Sequence, residues 1–367
     1  MIKQSVLLAW PVLFFGVVGL WSEGQAQETG ADPSGYILKY DEDFDGIGPR
    51  VYVLPAPRTK KEVLTDTYQD IVSFQDSIAA ALQYQKFKAN FKATSNQATI
   101  LLLLDPMPIT DEAWETLVQR YLTQNNRDIV YGLLNEQARQ ATEAGRISQG
   151  ISLLERAREY ASVANLPADI AVIQANLATL QFLTHNAAEA QQYEEAYYAQ
   201  ARKDKDPIEQ GRSLVKLARI QALAENYNTA ENTIIRKAIP LFNRARFYEG
   251  KVRAWEMLGD IYQAQNKHIQ AQWFLIQARD LAHARNHKDD LAEIEYMLGS
   301  SKFIQKKYDL AKTEFIEAYD LAEQEDNDVL KLAIVEKLGT IYLLQNNLKR
   351  AEELLNEYWE LRREVFR

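Results

Sequence analysis

Residues 252–282 read VRAWEMLGDIYQAQNKHIQAQWFLIQARDLA, and the spacing inside this stretch decides the fold. Trp255 is followed by Leu258-Gly259 and Tyr262, with Ala271 and Ala278 downstream. Gly259 belongs to a series formed by Ala138, Ala178, Ala218, Gly259, Gly299 and Gly339, at intervals of 40, 40, 41, 40 and 40 residues. A period of roughly 20–50 residues marks a solenoid in which one supersecondary unit is stacked repeatedly. A second small residue follows twelve positions on, at Gly150, Ala190, Ala230, Ala271, Ala311 and Ala351, and a third at nineteen in Ala157, Ala278 and Ala318. Small side chains let two antiparallel helices approach where they cross, so these offsets predict a repeated helical hairpin.

The 252–282 copy resembles a tetratricopeptide repeat, whose first helix reads Trp, two residues, Leu-Gly, two residues, Tyr, with Ala further on. Leu298-Gly299 with Ala311, Phe315 and Ala318 follows the pattern well, as does Leu338-Gly339 with Tyr342 and Ala351. Leu177-Ala178 and Leu217-Ala218 keep only the crossing residues, and the copy near Ala138 keeps least. The family repeat is about 34 residues long, so a 40-residue period lengthens each helix by up to about one and a half turns. The resemblance covers about residues 131–367 and implies an all-α, right-handed superhelical solenoid of about six hairpins, preceded by extra N-terminal helices.

In that family the first helix of each hairpin lines a concave groove that binds peptides or partner segments. Carried over residue by residue, the groove positions are Arg139, Arg212, Arg219, Arg253, Glu256, Asp260, Glu293 and Tyr296, with Ser300, Glu336 and Thr340 beside them. The groove then runs from basic to acidic. Arginine clamps a carboxylate through two N–H groups and Tyr296 offers a flat anchor, so an acidic peptide end suits the earlier repeats.

The chain divides into a leader at 1–26, a Gly/Pro/Asp-rich stretch at 27–61, a helical segment at 62–130 and the repeats at 131–367. Lys3, the apolar run Val6–Trp21 and the small residues Gly24-Gln25-Ala26 read as a secretory signal peptide cleaved after Ala26. Sixteen apolar residues interrupted by Pro11 fall short of the roughly 20 needed to span a bilayer. The expected product is exported, periplasmic or secreted. With no cysteine in the chain, neither a disulfide framework nor a lipidated cysteine is available. The formal charge of −9 is unchanged by removing Lys3 and Glu23, and such acidity argues against nucleic acid as a partner.

In the 27–61 stretch, Tyr36–Tyr40 and Val51–Leu54 are strand-like, able to pair as a hairpin or to lie along the first helices as a cap. Residues 61–93 have helical apolar spacing, and Thr110-Asp111-Glu112 caps a further helix, so this segment resembles a degenerate layer leading into the repeats. Gly145, Asn186, Asn226, Asn266, Lys306 and Asn346 mark the hinges inside each hairpin. Pro167 and Pro207 suit first helical turns, whereas Pro240 falls inside a second helix and is expected to kink or split it, where the interval is 41.

No catalytic constellation is found: there is no phosphate loop, nucleophile elbow or zinc-protease helix. Asp41, Asp43, Asp45 and Gly46 open like a calcium loop, but Pro49 and Tyr52 stand at its ninth and twelfth positions. His283 and His287 have helical ligand spacing, with Asp290 beyond, yet two imidazoles do not complete a zinc site, so neither metal nor cofactor is expected. The basic stretch Arg236, Lys237, Arg244, Arg246, Lys251 and Arg253 reads as a solvated face, with docking of an acidic partner as the alternative. Leu354, Leu355, Tyr358, Trp359, Leu361, Val365 and Phe366 make the last helix unusually apolar for a terminal repeat, which suggests a homodimer through residues 348–367. The expected work is non-catalytic binding of a peptide or protein in the groove. The alternatives are a sensory solenoid that signals through a separate partner and, last, a metal-dependent enzyme.

Overall fold

The computed structural model describes residues 37–41, 50–54, 57–88 and 90–366. The chain separates into two units, Met1–Thr59 and Lys60–Arg367. In the first, β1 (Ile37–Asp41) and β2 (Arg50–Leu54) form an antiparallel pair with Ile37 opposite Leu54 and Asp41 opposite Arg50. The signal-peptide residues, and Asp43, Asp45 and Gly46 of the calcium-like motif, lie outside the described residues.

The second unit is an all-α solenoid. Repeat one pairs α5 (Arg127–Glu143) with α6 (Ile147–Val163), and repeat two pairs α7 (Pro167–Leu183) with α8 (Ala187–Lys203). Repeat three joins α9 (Pro207–Leu223) to α10 (Tyr227–Thr233), a π turn (Ile234–Ala238) and α11 (Ile239–Ala245). Repeats four, five and six are α12 (Tyr248–Ala264) with α13 (His268–Ala284), α14 (Leu291–Ile304) with α15 (Tyr308–Gln324), and α16 (Asp328–Leu344) with α17 (Leu348–Val365).

The 40-residue period is two half-periods of 20. Residues with positive φ stand at 125, 145, 165, 185, 205 and 225, then at 246, 266, 286, 306, 326 and 346. Each closes a helix with a left-handed residue, and the amide after it reaches back five residues, as in Asn186 N to Gln181 O at 2.9 Å and Lys267 N to Tyr262 O at 2.8 Å. The hinges expected at Asn186 and Asn226 therefore fall one residue earlier, on His185 and Glu225. Asn186 instead caps the next helix, its side chain accepting from the Glu189 amide.

Pro167 and Pro207 occupy first turns as expected. Pro240 does not split its helix. The Ile239 amide donates to the Ile234 carbonyl, five residues back, and the helix continues through this π turn into α11. A proline ring clashes with the carbonyl four residues earlier in an α-helix, and a widened turn just ahead of it absorbs one extra residue. That residue is the 41st of the irregular interval.

Among the N-terminal helices, α3 (Gln97–Leu103) and α4 (Asp111–Thr123) pack on α5, burying Ile100, Trp114 and Val118 with Val130 and Leu134. Thr110 caps α4 by accepting from the Ala113 amide. By contrast, α1 (Lys60–Val72) and α2 (Gln75–Lys88) do not lead into the first repeat. Helix α1 packs on α16 and α17, and α2 reaches α16 and α7. Leu64, Tyr68, Ile71 and Ile78 share one core with Leu330, Leu354, Tyr358 and Leu361, and burying each such side chain contributes about 1.5–3 kcal/mol. The apolar face of α17 on which a homodimer was expected is thus covered by α1 of the same chain: Leu354, Tyr358 and Leu361 are buried. Trp359 meets Phe74 edge-on, ring centres 6.2 Å apart.

Gly339 shows how closely α1 is received. A Cβ there would lie 2.6 Å from Tyr68 Cζ, whereas at Gly259 and Gly299 it would meet Leu275 and Phe315 of the paired helix. The crossing residue of repeat six makes room for α1.

Candidate peptide-binding groove

First helices line the inner wall of the solenoid because their small residues face the paired helices and leave the flanking positions free. Two cavities open there, of about 640 and 440 Å³. Arg212, Lys216 and Arg219 of α9, Arg253 and Glu256 of α12 and Glu293 of α14 border the larger, and Asp260, Tyr296, Glu336 and Lys337 the smaller. Leu82 and Lys86 of α2 line both, so the protein's own chain occupies part of the wall that a partner was expected to take.

Residues 60–88 and 90–96 cross this wall against the order of the repeats. Tyr68 Oη donates to the Ala351 carbonyl at 2.6 Å and Gln75 Nε2 to Glu336 at 2.6 Å, both in repeat six. Lys86 bridges Glu256 (3.2 Å) and Glu293 in repeats four and five. Burial pulls its ammonium toward neutrality, but Glu293 and Glu256 outweigh burial and hold it charged. The Lys92 ammonium meets Glu209 at 2.9 Å, while its amide donates to Asn176 Oδ1 at 2.7 Å and its carbonyl accepts from Asn176 Nδ2 at 2.8 Å. Asp169 takes the Ser95 amide at 2.7 Å, the Ser95 hydroxyl at 2.6 Å and the Tyr131 hydroxyl at 2.6 Å. Tyr84 donates to the Thr142 carbonyl. Burial alone would raise the Glu209 carboxyl, but donors from Tyr197, Lys92 and Arg212 hold it down at about 2. The segment is a clasp from the last repeat to the first two.

Seven of the eight expected groove residues line the cavities: Arg212, Arg219, Arg253, Glu256, Asp260, Glu293 and Tyr296. Arg139 borders neither and is held by Glu136 and Glu143 of its own helix. Arg212 pairs with Glu209 at 2.9 Å and lies 4.9 Å over the Phe247 ring. Arg253 pairs with Glu249 at 3.3 Å and Asp290 at 3.2 Å. Lys216 is held by Glu194 at 2.9 Å and the Ala175 carbonyl at 2.7 Å. Burial pushes its pKa down against the pull of Glu194. Burial lifts the Tyr296 hydroxyl to about 12. Among the described cavity cations, Arg219 alone has no carboxylate partner; its Nε lies 3.4 Å from Met257 Sδ.

Sequence reasoning missed the clasp residues Lys86 and Lys92 and the wall residues Asp169, Glu194, Glu209 and Lys216. Asp169, Glu209 and Asp290 each stand nine positions before their crossing residue, Ala178, Ala218 and Gly299, and that recurrence was available. The lysines belong to no repeat and carried no such signal.

Residues 290–364, which make up repeats five and six, match the model of the tetratricopeptide repeat. The match covers the two hairpins α14–α15 and α16–α17. The solenoid is similar in fold to a signal transduction ATPase with numerous domains and a tetratricopeptide repeat sensor from Pyrococcus horikoshii. That likeness has 16% identity and a TM-score of 0.51, over 82% of this chain and 46% of that one. The apo form of RapI is similar at 14% identity and a TM-score of 0.47, over 64% of this chain and 98% of that one. A Rap protein complexed with competence and sporulation factor is similar at 9% identity and a TM-score of 0.46, over 83% and 99%. No curated protein sequence matches the chain.

The two histidines at helical spacing separate in the helical framework. His287 lies beyond the end of α13 and its Nε2 is 2.9 Å from Asp290 Oδ2. His283, in the last turn of α13, gathers instead with Glu295 and Glu317. No described helix is long and apolar enough to cross a membrane.

Proposed function

We propose that this protein is an exported, non-catalytic interaction scaffold whose inner tetratricopeptide wall receives a peptide or protein segment through an anionic group, with residues 60–96 as a built-in occupant of part of the wall. One observation carries this reading: Arg219 faces both cavities with no carboxylate within ion-pair distance, while Lys86, Lys92, Arg212, Lys216 and Arg253 around it are paired. A guanidinium with open donors in a concave, partly enclosed site favours a carboxylate that can take two of them. Export rests on the charged and apolar leader with its small-residue cleavage site.

The test is a displayed library of peptides with free C-terminal carboxylates, selected on the protein and on Arg219→Glu. Binders that need Arg219 and weaken tenfold or more on amidation support the reading, and binders indifferent to both refute it. Fusing residues 1–26 to a reporter active only outside the cytoplasm tests export, and an inactive fusion removes that part.

The regulatory reading keeps one observation in its favour. Because the clasp touches repeats six, five, four and two, a ligand that alters solenoid curvature changes the fit of residues 60–96. Protease cleavage near residues 73–74 that rises on adding a selected peptide supports it, and unchanged cleavage argues against it.

A further inference from the structure

We propose that His283, Glu295 and Glu317 form a divalent metal site for zinc or a zinc-like ion, on α13, α14 and α15 at the junction of repeats four and five. One ligand atom from each lies within 4.8 Å of the other two. Metal bonds of about 2.0–2.2 Å set neighbouring ligands roughly 3.3–3.6 Å apart in a tetrahedron. The exposed side chains of His283 and Glu317 can close that difference by small rotations. None of the three lines the groove cavities, so this site is separate from the one proposed for a peptide.

The internal repeat shows why Glu295 is out of place as a structural residue. It stands four positions before Gly299, and the same position in the other copies is Leu134, Gln174, Leu214, Trp255 and Val335. Leu134, Leu214 and Val335 are buried core residues. A carboxylate has therefore been put where the framework asks for an apolar side chain. Glu295 is 0% exposed, and neither of its oxygens accepts a hydrogen bond. Leaving a buried charge so poorly compensated is costly.

The surrounding charges relieve it only in part. Arg279 Nε is 3.7 Å from Glu295 Oε1, beyond hydrogen-bond distance, and lies closer to Asp280 at 3.3 Å. Lys302 is taken by Glu314. Burial first, and then the charges of Glu317 and Glu314, push the Glu295 carboxyl up to about 7, against the pull of Arg279 and Lys302. A cation between the three ligands reverses both effects by neutralising the carboxylates and supplying the missing partner.

One imidazole with two carboxylates selects zinc or a related transition ion over calcium and magnesium, which prefer oxygen alone. Three protein ligands leave a fourth position for water or for a ligand atom from elsewhere. Because His283 belongs to repeat four and the glutamates to repeat five, the ion pins one repeat to the next.

The experiment titrates chelator-treated protein with zinc by calorimetry and with cobalt by visible absorption. One equivalent is expected, with cobalt bands of a four-coordinate site. Affinity should fall tenfold or more in His283→Ala, an exposed position, and binding should vanish in Glu295→Leu, which keeps its helix content because leucine is the residue of two other copies. His287→Ala, whose ring serves Asp290, should bind as the parent does. Absence of zinc binding by the parent overturns the proposal, as does binding that survives both variants or that is lost in His287→Ala alone.

Discussion

Gly339→Ala tests whether α1 belongs in the socket of the last repeat. Glycine in a helix interior is worse than alanine by about 0.5–1 kcal/mol, so in an open site the substitution stabilises. Here the new methyl would fall 2.6 Å from Tyr68 Cζ and closer still to its hydroxyl. Tyr68 cannot easily yield, being 4% exposed and donating to the Ala351 carbonyl at 2.6 Å. Overpacking of this kind costs about 1–3 kcal/mol, giving a net destabilisation on the order of 0.5–2 kcal/mol. In a Tyr68→Ala background the ring is gone, and the same substitution should stabilise by about 0.5–1 kcal/mol. The coupling between the two sites is then about 1–3 kcal/mol. Urea unfolding of the four proteins, with hydrogen exchange of α1 amides alongside, measures it. Additive effects, with Gly339→Ala equally harmful in both backgrounds, would show that α1 does not occupy this socket.

Asp169→Asn keeps the shape of a side chain that accepts from Ser95 twice and from Tyr131 but removes its charge, weakening the hold on residues 92–97 by about 1–3 kcal/mol. Faster proteolysis confined to that segment is the expected readout. The Glu295 carboxyl, raised to about 7, binds protons in the metal-free native state that the unfolded chain has released. Stability should therefore fall as pH rises from about 4.5 to 7, by at most about 1.4 kcal/mol per pH unit. Glu295→Leu should flatten that slope and raise the urea midpoint at pH 8. Deleting Ile235 from the π turn together with Pro240→Ala restores a 40-residue interval, so circular dichroism should show a folded chain of unchanged helicity. Deleting Phe274 from α13, which has no π turn to remove, should unfold its repeat.

The solenoid was legible because its signals are local and repeated. Small residues at offsets of 0, 12 and 19 place the helix crossings, and each crossing needs little more than the absence of a bulky side chain. The positive-φ hinges were readable only to within a residue. At Asn186 the same amide serves either a left-handed hinge or a helix cap, and a 20-residue spacing kept in register by His185 decides between them. Pro240 was recognised as a disturbance, but its resolution into a π turn depends on where one added residue can be absorbed without moving the crossings.

What the sequence determined by itself was the repeat, its period, and most of the charged inner wall. What only the tertiary structure decided was what lies against that wall. The fit of the clasp pairs Tyr68 with Gly339, Lys86 with Glu256 and Glu293, and Ser95 with Asp169, across separations of up to 271 residues in the chain. No periodic signal records such contacts, because the clasp is present once and its partners are spread over several copies. The apolar face of α17 looked unpartnered for the same reason: its cover is α1, which precedes the repeats in the chain but packs on the last of them.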